Sequence, residues 1–315
     1  MSPDTNTPPA FEVLPRDLSA YRAGNVGVDH VHRFNSGRPG PHVLINALTH
    51  GNEFCGMVAA THLLDTGVRP LIGTLTVSFA NVAAYDTFDA ARPFDSRQLV
   101  HNLNRIWSPD WLDGRDDSPE LQRARALRPV VAAADHVLDI HSTSQPVQPF
   151  WVYPRFARNG TAALAMGEPA VHLVMPQGLG SGTPLIQHGA HGTPDHHGVA
   201  LVAECGQHFL QSSADRAIRV TLGFLAHFGL LGPVARHAPL PAQQRYELLQ
   251  TCMVSHADFR FARPLVGFET FAPGELIASQ GPDRIHAPAG GCTVLMPTRE
   301  PIVGREAVYL SHKIA

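Results

Sequence analysis

Apolar residues gather along this chain in short runs, each closed by a polar or turn-forming cluster. Residues 43–48 (VLINAL) lie between Pro41 and T-H-G-N, and over 53–64 Phe54, Met57, Val58 and Leu64 mark one buried face. That is the pattern of strand, turn and helix. It recurs: 74–79 as strand, a loop rich in Asp, Arg and Pro over 85–119, a helix over 120–134 and a strand over 136–140. Short strands at 150–153 and 199–203 and a helix over 214–228 follow. Apolar strands alternating with helices predict an α/β domain, its parallel or mixed sheet covered on both faces.

Near Gly232 the texture changes. GPVARHAPLPAQQ reads as a linker, placed at 233–245, and from residue 246 short apolar segments are separated by turn signals such as Ala272-Pro273-Gly274 and Gly281-Pro282-Asp283. This predicts a small all-β, barrel-like domain over 246–315, behind an α/β domain over 11–232 and a frayed polar tail at 1–10.

Composition narrows the function. The 315 residues are 44 % hydrophobic and 16 % charged with a formal net charge of -3, an ordinary globule with no basic field for nucleic acid. No run reaches the roughly 18 apolar residues of a membrane helix. Lys313 is the sole lysine, which excludes a P-loop, a Schiff base and a biotinyl or lipoyl carrier. Four scattered cysteines with no C-x-x-C pair, behind an N-terminus with no leader pattern, point to a reduced, cytoplasmic protein.

The sharpest local motif is Thr49-His50-Gly51-Asn52-Glu53. An imidazole and a carboxylate three residues apart across a tight turn can face one first-row cation such as zinc. A third ligand should come from another strand end, and His141 in Asp139-Ile140-His141-Ser142-Thr143 qualifies; two His and one Glu leave a fourth position for water. The plainer alternative is that His141 is a hydrogen-bonded core histidine, one of 19 in the chain. Glu204 closes an apolar strand and fits a general base beside the metal, or equally a salt-bridged carboxylate. Arg97 and Arg105 are, in isolation, ordinary loop arginines, though a guanidinium matches a carboxylate or an oxyanion.

Taken together, His50-x-x-Glu53, Arg97, Asn102-Leu103-Asn104-Arg105, Asp139-Ile140-His141-Ser142-Thr143 and Glu204-Cys205-Gly206 resemble the succinylglutamate desuccinylase/aspartoacylase family, a branch of the zinc-carboxypeptidase fold. The resemblance implies His50, Glu53 and His141 as ligands of one zinc per chain and Glu204 as general base. It further implies Arg97 at the scissile carbonyl, and Asn104 and Arg105 at the carboxylate of the amino-acid moiety. The chain departs from the family at Asn102, where an acid is usual, and at 192–197, where a substrate arginine is usual. The second departure points away from N-acetylaspartate and succinylglutamate, each with a second acid that wants a cation. A Gly/His-rich loop stands there, 187–198, readable as an exposed turn-rich loop, a pocket wall or a second metal site. Within it Asp195 is singled out as a partner for a substrate ammonium group.

The expectation is a zinc-dependent deacylase that hydrolyses the amide bond of a small N-acyl amino acid or related acylated carboxylic acid, with water activated by Glu204. The β-rich tail would cap the pocket against polypeptides. Two alternatives stand: a metallocarboxypeptidase or amidase on a peptide-like substrate, and an inactive metabolite-binding relative. The partner is then a small molecule, with neither nucleic acid nor membrane, and a homo-oligomer is left open.

Overall fold

The computed structural model describes residues 11–178, 180–233 and 241–314. The tail expected to fray at 1–10 and most of the expected linker lie outside the described residues. The strands are β1 (Val31–Asn35), β2 (His42–Ala47), β3 (Thr74–Phe79), β4 (His136–Thr143), β5 (Phe150–Pro154), β6 (Val171–Met175) and β7 (Ala200–Gln207). Interleaved with them are helices α1 (Phe54–Asp65), α2 (Val82–Tyr85), α3 (Pro109–Leu112), α4 (Pro119–Ala132), α5 (Ala157–Met166) and α6 (Gln211–His227). The C-terminal part is all β: β8 (Gln244–Met253), β9 (Arg260–Phe261), β10 (Thr270–Phe271), β11 (Leu276–Gln280), β12 (Asp283–His286), β13 (Cys292–Leu295) and β14 (Glu306–Ile314).

Eleven strands form one mixed sheet, in the order β1-β3-β2-β4-β7-β5-β6-β8-β14-β13-β10. Its centre, β3-β2-β4-β7, is parallel, and β5 pairs antiparallel with β7. Alternation along the strands sorts side chains to two faces. Val43, Ile45, Leu138, Ile140, Leu201 and Ala203 pack in one core with α1, α5 and α6, while Leu44, Val137, Ala200 and Val202 pack in another with α4. The mixed sheet covered on both faces is therefore as expected. The tail carries its own apolar cluster around Phe259, Ile277, Val294 and Val308, and its strands also extend the main sheet, since β8 pairs in parallel with β6 from Gln244 onward.

Five elements of the α/β part were not legible as such in the sequence: β1, the one-turn helices α2 and α3, α5 and β6. β1 is an edge strand whose middle residues are half-buried, so it shows no clean alternation. α5 (ARNGTAALAM) is built from small and polar residues with a glycine inside, and β6 is five residues long.

Candidate metal centre

β2 ends in a turn with no room for a side chain at position 51. Leu48, fully buried, takes a positive φ of 57°, and a Cβ on Gly51 would stand 2.3 Å from the Ser96 carbonyl oxygen and 2.4 Å from the Tyr85 nitrogen. Glycine is the residue that fits. The turn delivers His50 and Glu53 above the carboxyl end of β2, with Glu53 standing just ahead of α1. β4, hydrogen-bonded to β2, brings His141 to the same edge, and β7, in register with His141 through Glu204, brings that carboxylate alongside.

His50, Glu53 and His141 converge, each offering an atom within 4.8 Å of the others. The Nδ1 atoms of His50 and His141 stand 2.8 and 2.9 Å from the two oxygens of Glu53. Each imidazole is gripped from behind: Nε2 of His50 donates to Oδ1 of Asn102 at 2.9 Å and Nε2 of His141 to Oδ2 of Asp139 at 2.8 Å. Asn102 Oδ1 also accepts the Asn104 amide, which fixes its oxygen in place. With both Nε2 protons given away, two Nδ1 atoms face a carboxylate across a buried gap, an arrangement that demands a proton or a cation between them. The donor set, two imidazoles and a carboxylate with all three side chains buried, fits a zinc-type ion.

Without an ion, protons serve instead. Burial pushes His50 down to about 4, aided by Arg97. Burial also disfavours the charged form of His141, but Asp139 and Glu53 outweigh it and hold the imidazole well above its ordinary value. For Glu53 burial acts upward, and His50 and His141 overcome it to hold the carboxyl well below 4.5. Behind Asp139 runs a buried chain: Oδ1 accepts from Thr49 Oγ1 at 2.7 Å and Asn46 Nδ2 at 2.8 Å, and Asn46 accepts from Ser78.

Glu204 lies on the same side of the sheet. Its Oε2 is buried without a hydrogen-bond partner, and burial raises its carboxyl to about 8. It has no salt bridge among the described residues, so the alternative of a structural ion pair is not what is found. Gly206 behind it has φ 119°, and a Cβ there would reach 2.7 Å from Ser213 Oγ, which accounts for the glycine two residues after the acid. Arg97, a third exposed, donates from Nη1 to Glu53 Oε1 at 3.3 Å.

The other expected residues sit differently. Asn104 accepts the Leu185 amide at 3.0 Å, and Arg105 is engaged with β14. Asp195 is exposed and is not brought to the cluster. Its loop lies by the amino ends of β4 and β7, where His197 stands 3.7 Å from Asp135. One guanidinium, Arg158 on α5, pins that loop by donating to the carbonyls of His191, Thr193, Pro194 and Gly198.

Residues 39–176 match the family model of the succinylglutamate desuccinylase/aspartoacylase catalytic domain. No curated protein matches the chain. Among solved structures, succinylglutamate desuccinylase from Vibrio cholerae is 17 % identical with a TM-score of 0.69, over 91 % of this chain and 86 % of that one. A family member from Rhodobacter sphaeroides (17 %, TM-score 0.61, 90 % and 88 %) shares the fold, as does an ectoine utilization protein from Ruegeria pomeroyi (17 %, TM-score 0.65, 90 % and 88 %).

The stretch matched to the desuccinylase/aspartoacylase domain holds His50, Glu53, Arg97, Asn104, Arg105 and His141 and leaves Glu204 outside. Around it the structure adds groups the motifs did not single out. Asp139 is legible in hindsight, because i and i+2 on a strand share a face. Asn102 stands where the family has an acid and still takes the His50 proton with its amide oxygen. His208, buried with Nδ1 2.7 Å from Ser142 Oγ, gave no signal in sequence. No helix among the described residues is long and apolar enough to cross a membrane.

Proposed function

We propose that this protein is a zinc-dependent deacylase that hydrolyses the amide bond of a small N-acyl amino acid or a close relative. The observation that carries this reading is the meeting of the His50, Glu53 and His141 donors beside a buried Glu204 whose Oε2 has no hydrogen-bond partner. His50, Glu53 and His141 would hold one zinc ion. Such an ion supplies a Lewis acid for the amide carbonyl and eases the ionisation of water. Glu204 takes the proton of the attacking water and returns it to the leaving nitrogen, a task suited to a carboxyl whose pKa is raised toward neutrality. Arg97, free on its exposed side, holds the oxygen that becomes negative as the carbonyl is attacked. Asn104 and Arg105 form the wall beyond it, and the strands of 246–315 act as a barrel-like cap that keeps polypeptides out.

The test pairs two variants with metal analysis and a panel of N-acetyl and N-succinyl amino acids. About one zinc per chain is expected in the wild type. His50→Ala should lose both metal and turnover, and Glu204→Ala should keep the metal and lose turnover by a factor of at least ~100. Turnover retained in either variant overturns the assignment.

A further inference from the structure

Two imidazoles meet Glu53, and each is held from behind by a different kind of oxygen. Behind His141 stands the carboxylate of Asp139, its Oδ2 2.8 Å from Nε2. Behind His50 stands a carboxamide, Oδ1 of Asn102, at 2.9 Å. The second contact of that amide settles which of its ends faces the ring. Oδ1 also accepts the Asn104 backbone N–H at 2.9 Å, so the atom is the acceptor and Nε2 of His50 donates to it. Nδ1 of His50, 2.8 Å from Glu53 Oε1, is left to offer its electron pair. The turn around Asn102 is itself tied down, since its carbonyl accepts the Arg105 amide at 2.9 Å and the three preceding amides go to Glu120. The grip on His50 is therefore fixed in place, and it carries no charge.

We propose that Asn102 is a positioning residue that sets how firmly the metal is kept: it makes His50 the weaker of the two imidazole arms, so that the ion is held about tenfold less tightly than it would be with a carboxylate at 102, and leaves correspondingly faster. This rests on the metal-centre reading and adds to it the strength of the site. A hydrogen bond from the far ring nitrogen to a carboxylate sends electron density to the nitrogen that holds the metal. An amide oxygen aligns the ring equally well and sends less, because a bond to an ionised acceptor is about twice as strong as one to a neutral acceptor. Asp139 thus gives His141 both orientation and charge, and Asn102 gives His50 orientation alone. A site built this way takes up and gives back its ion as the free metal concentration changes.

The experiment is zinc competition against a chromophoric chelator on the full chain, for the wild type, Asn102→Asp and Asn102→Ala. Zinc release into excess chelator and the visible spectra of the cobalt-loaded forms accompany it. The aspartate variant should lower the zinc Kd about tenfold or more and slow release by a like factor. Alanine removes the grip and should raise the Kd by about 10- to 100-fold. Alanine also strands the Asn104 amide, so if that variant fails to fold, aspartate, which keeps an oxygen for both donors, decides the matter. The cobalt spectrum of the aspartate variant should keep the wild-type shape, since the ligands are unchanged. An aspartate variant that binds zinc no more tightly than the wild type, or a folded alanine variant that binds it equally well, overturns the proposal and leaves the metal centre standing. A cobalt spectrum of new shape in the aspartate variant means that residue 102 has become a ligand, and overturns it too. A wild type that binds no zinc overturns both the proposal and the metal centre.

Discussion

Glu204 carries its chemistry in its surroundings. A carboxyl ordinarily near 4.5 that is raised to about 8 binds its proton more tightly in the native than in the unfolded state, so its contribution to stability falls as pH climbs through that interval and then levels. His50 and His208, both held near 4 by burial, act in the opposite sense but only below their ordinary 6.5. Between pH 6.5 and 8 the raised Glu204 and His141 are left, and both lower stability as pH rises. Glu204→Gln removes one of the two. In zinc-free protein its unfolding free energy should fall less steeply over that window, by up to about 1.4 kcal/mol per pH unit, read from guanidinium melts at several pH values. Equal slopes would mean that the carboxyl is already ionised. At this scale the sequence revealed the residues and not their state. His50, Glu53, His141 and Glu204 stood out by type and by their position at strand ends, whereas the grip of Asn102 on His50 comes from an irregular loop 52 residues further on, and that of Asp139 on His141, two residues apart, follows only once β4 is known to be a strand. Asp195 looked attractive because a short loop of His and Gly has no pattern to say which end of the sheet it serves. The four carbonyls held by Arg158 set its place, and they come from backbone that no side-chain motif encodes.

Among the elements, α4 does more than cover a face of the sheet. Ser118 caps it by accepting the Leu121 amide, Pro119 opens it, and Glu120 in its first turn is fully buried. The Glu120 carboxylate accepts three consecutive amides, Leu99 at 2.6 Å and Val100 and His101 at 3.2 Å each. Those three residues precede Asn102, so the helix start holds the loop that supports His50 on one side and presents Arg105 on the other. Glu120→Ala leaves the three amides without their acceptor and should cost about 2 to 4 kcal/mol. It should also speed hydrogen exchange at 99–101 ahead of the rest of the chain. Unchanged exchange there would show that the loop is held by something else. The helix itself was legible over 120–134, one residue late at its start. The loop it anchors was legible only as a loop, because three backbone donors converging on one acceptor leave no trace in residue pattern.

At the scale of the whole molecule, the composition change near residue 232 reads as a boundary, and the strands beyond it do gather a core of their own. The sheet nevertheless runs on without a break, β6 to β8 to β14, and strand pairing is non-local information that a turn-rich segment does not display. Amide exchange tests what that continuity means. If β8 and β14 unfold with the central strands, their amides should be protected to the same global free energy as those of β2 and β4. Faster exchange throughout the tail would make it a separately unfolding unit.

The continuity also sets a clock. Arg105 and Glu306 are separated by 201 positions in the chain. At roughly 5 to 20 residues per second of synthesis, the wall they build cannot close until about 10 to 40 s after the arginine has been made. From about half-way through that interval, once Glu204 has been made, the metal ligands and Glu204 are all present while the guanidinium has no partner from β14. A newborn chain thus passes through a stage in which the loop beside the metal ligands lacks its anchor, and its last strand is what supplies it.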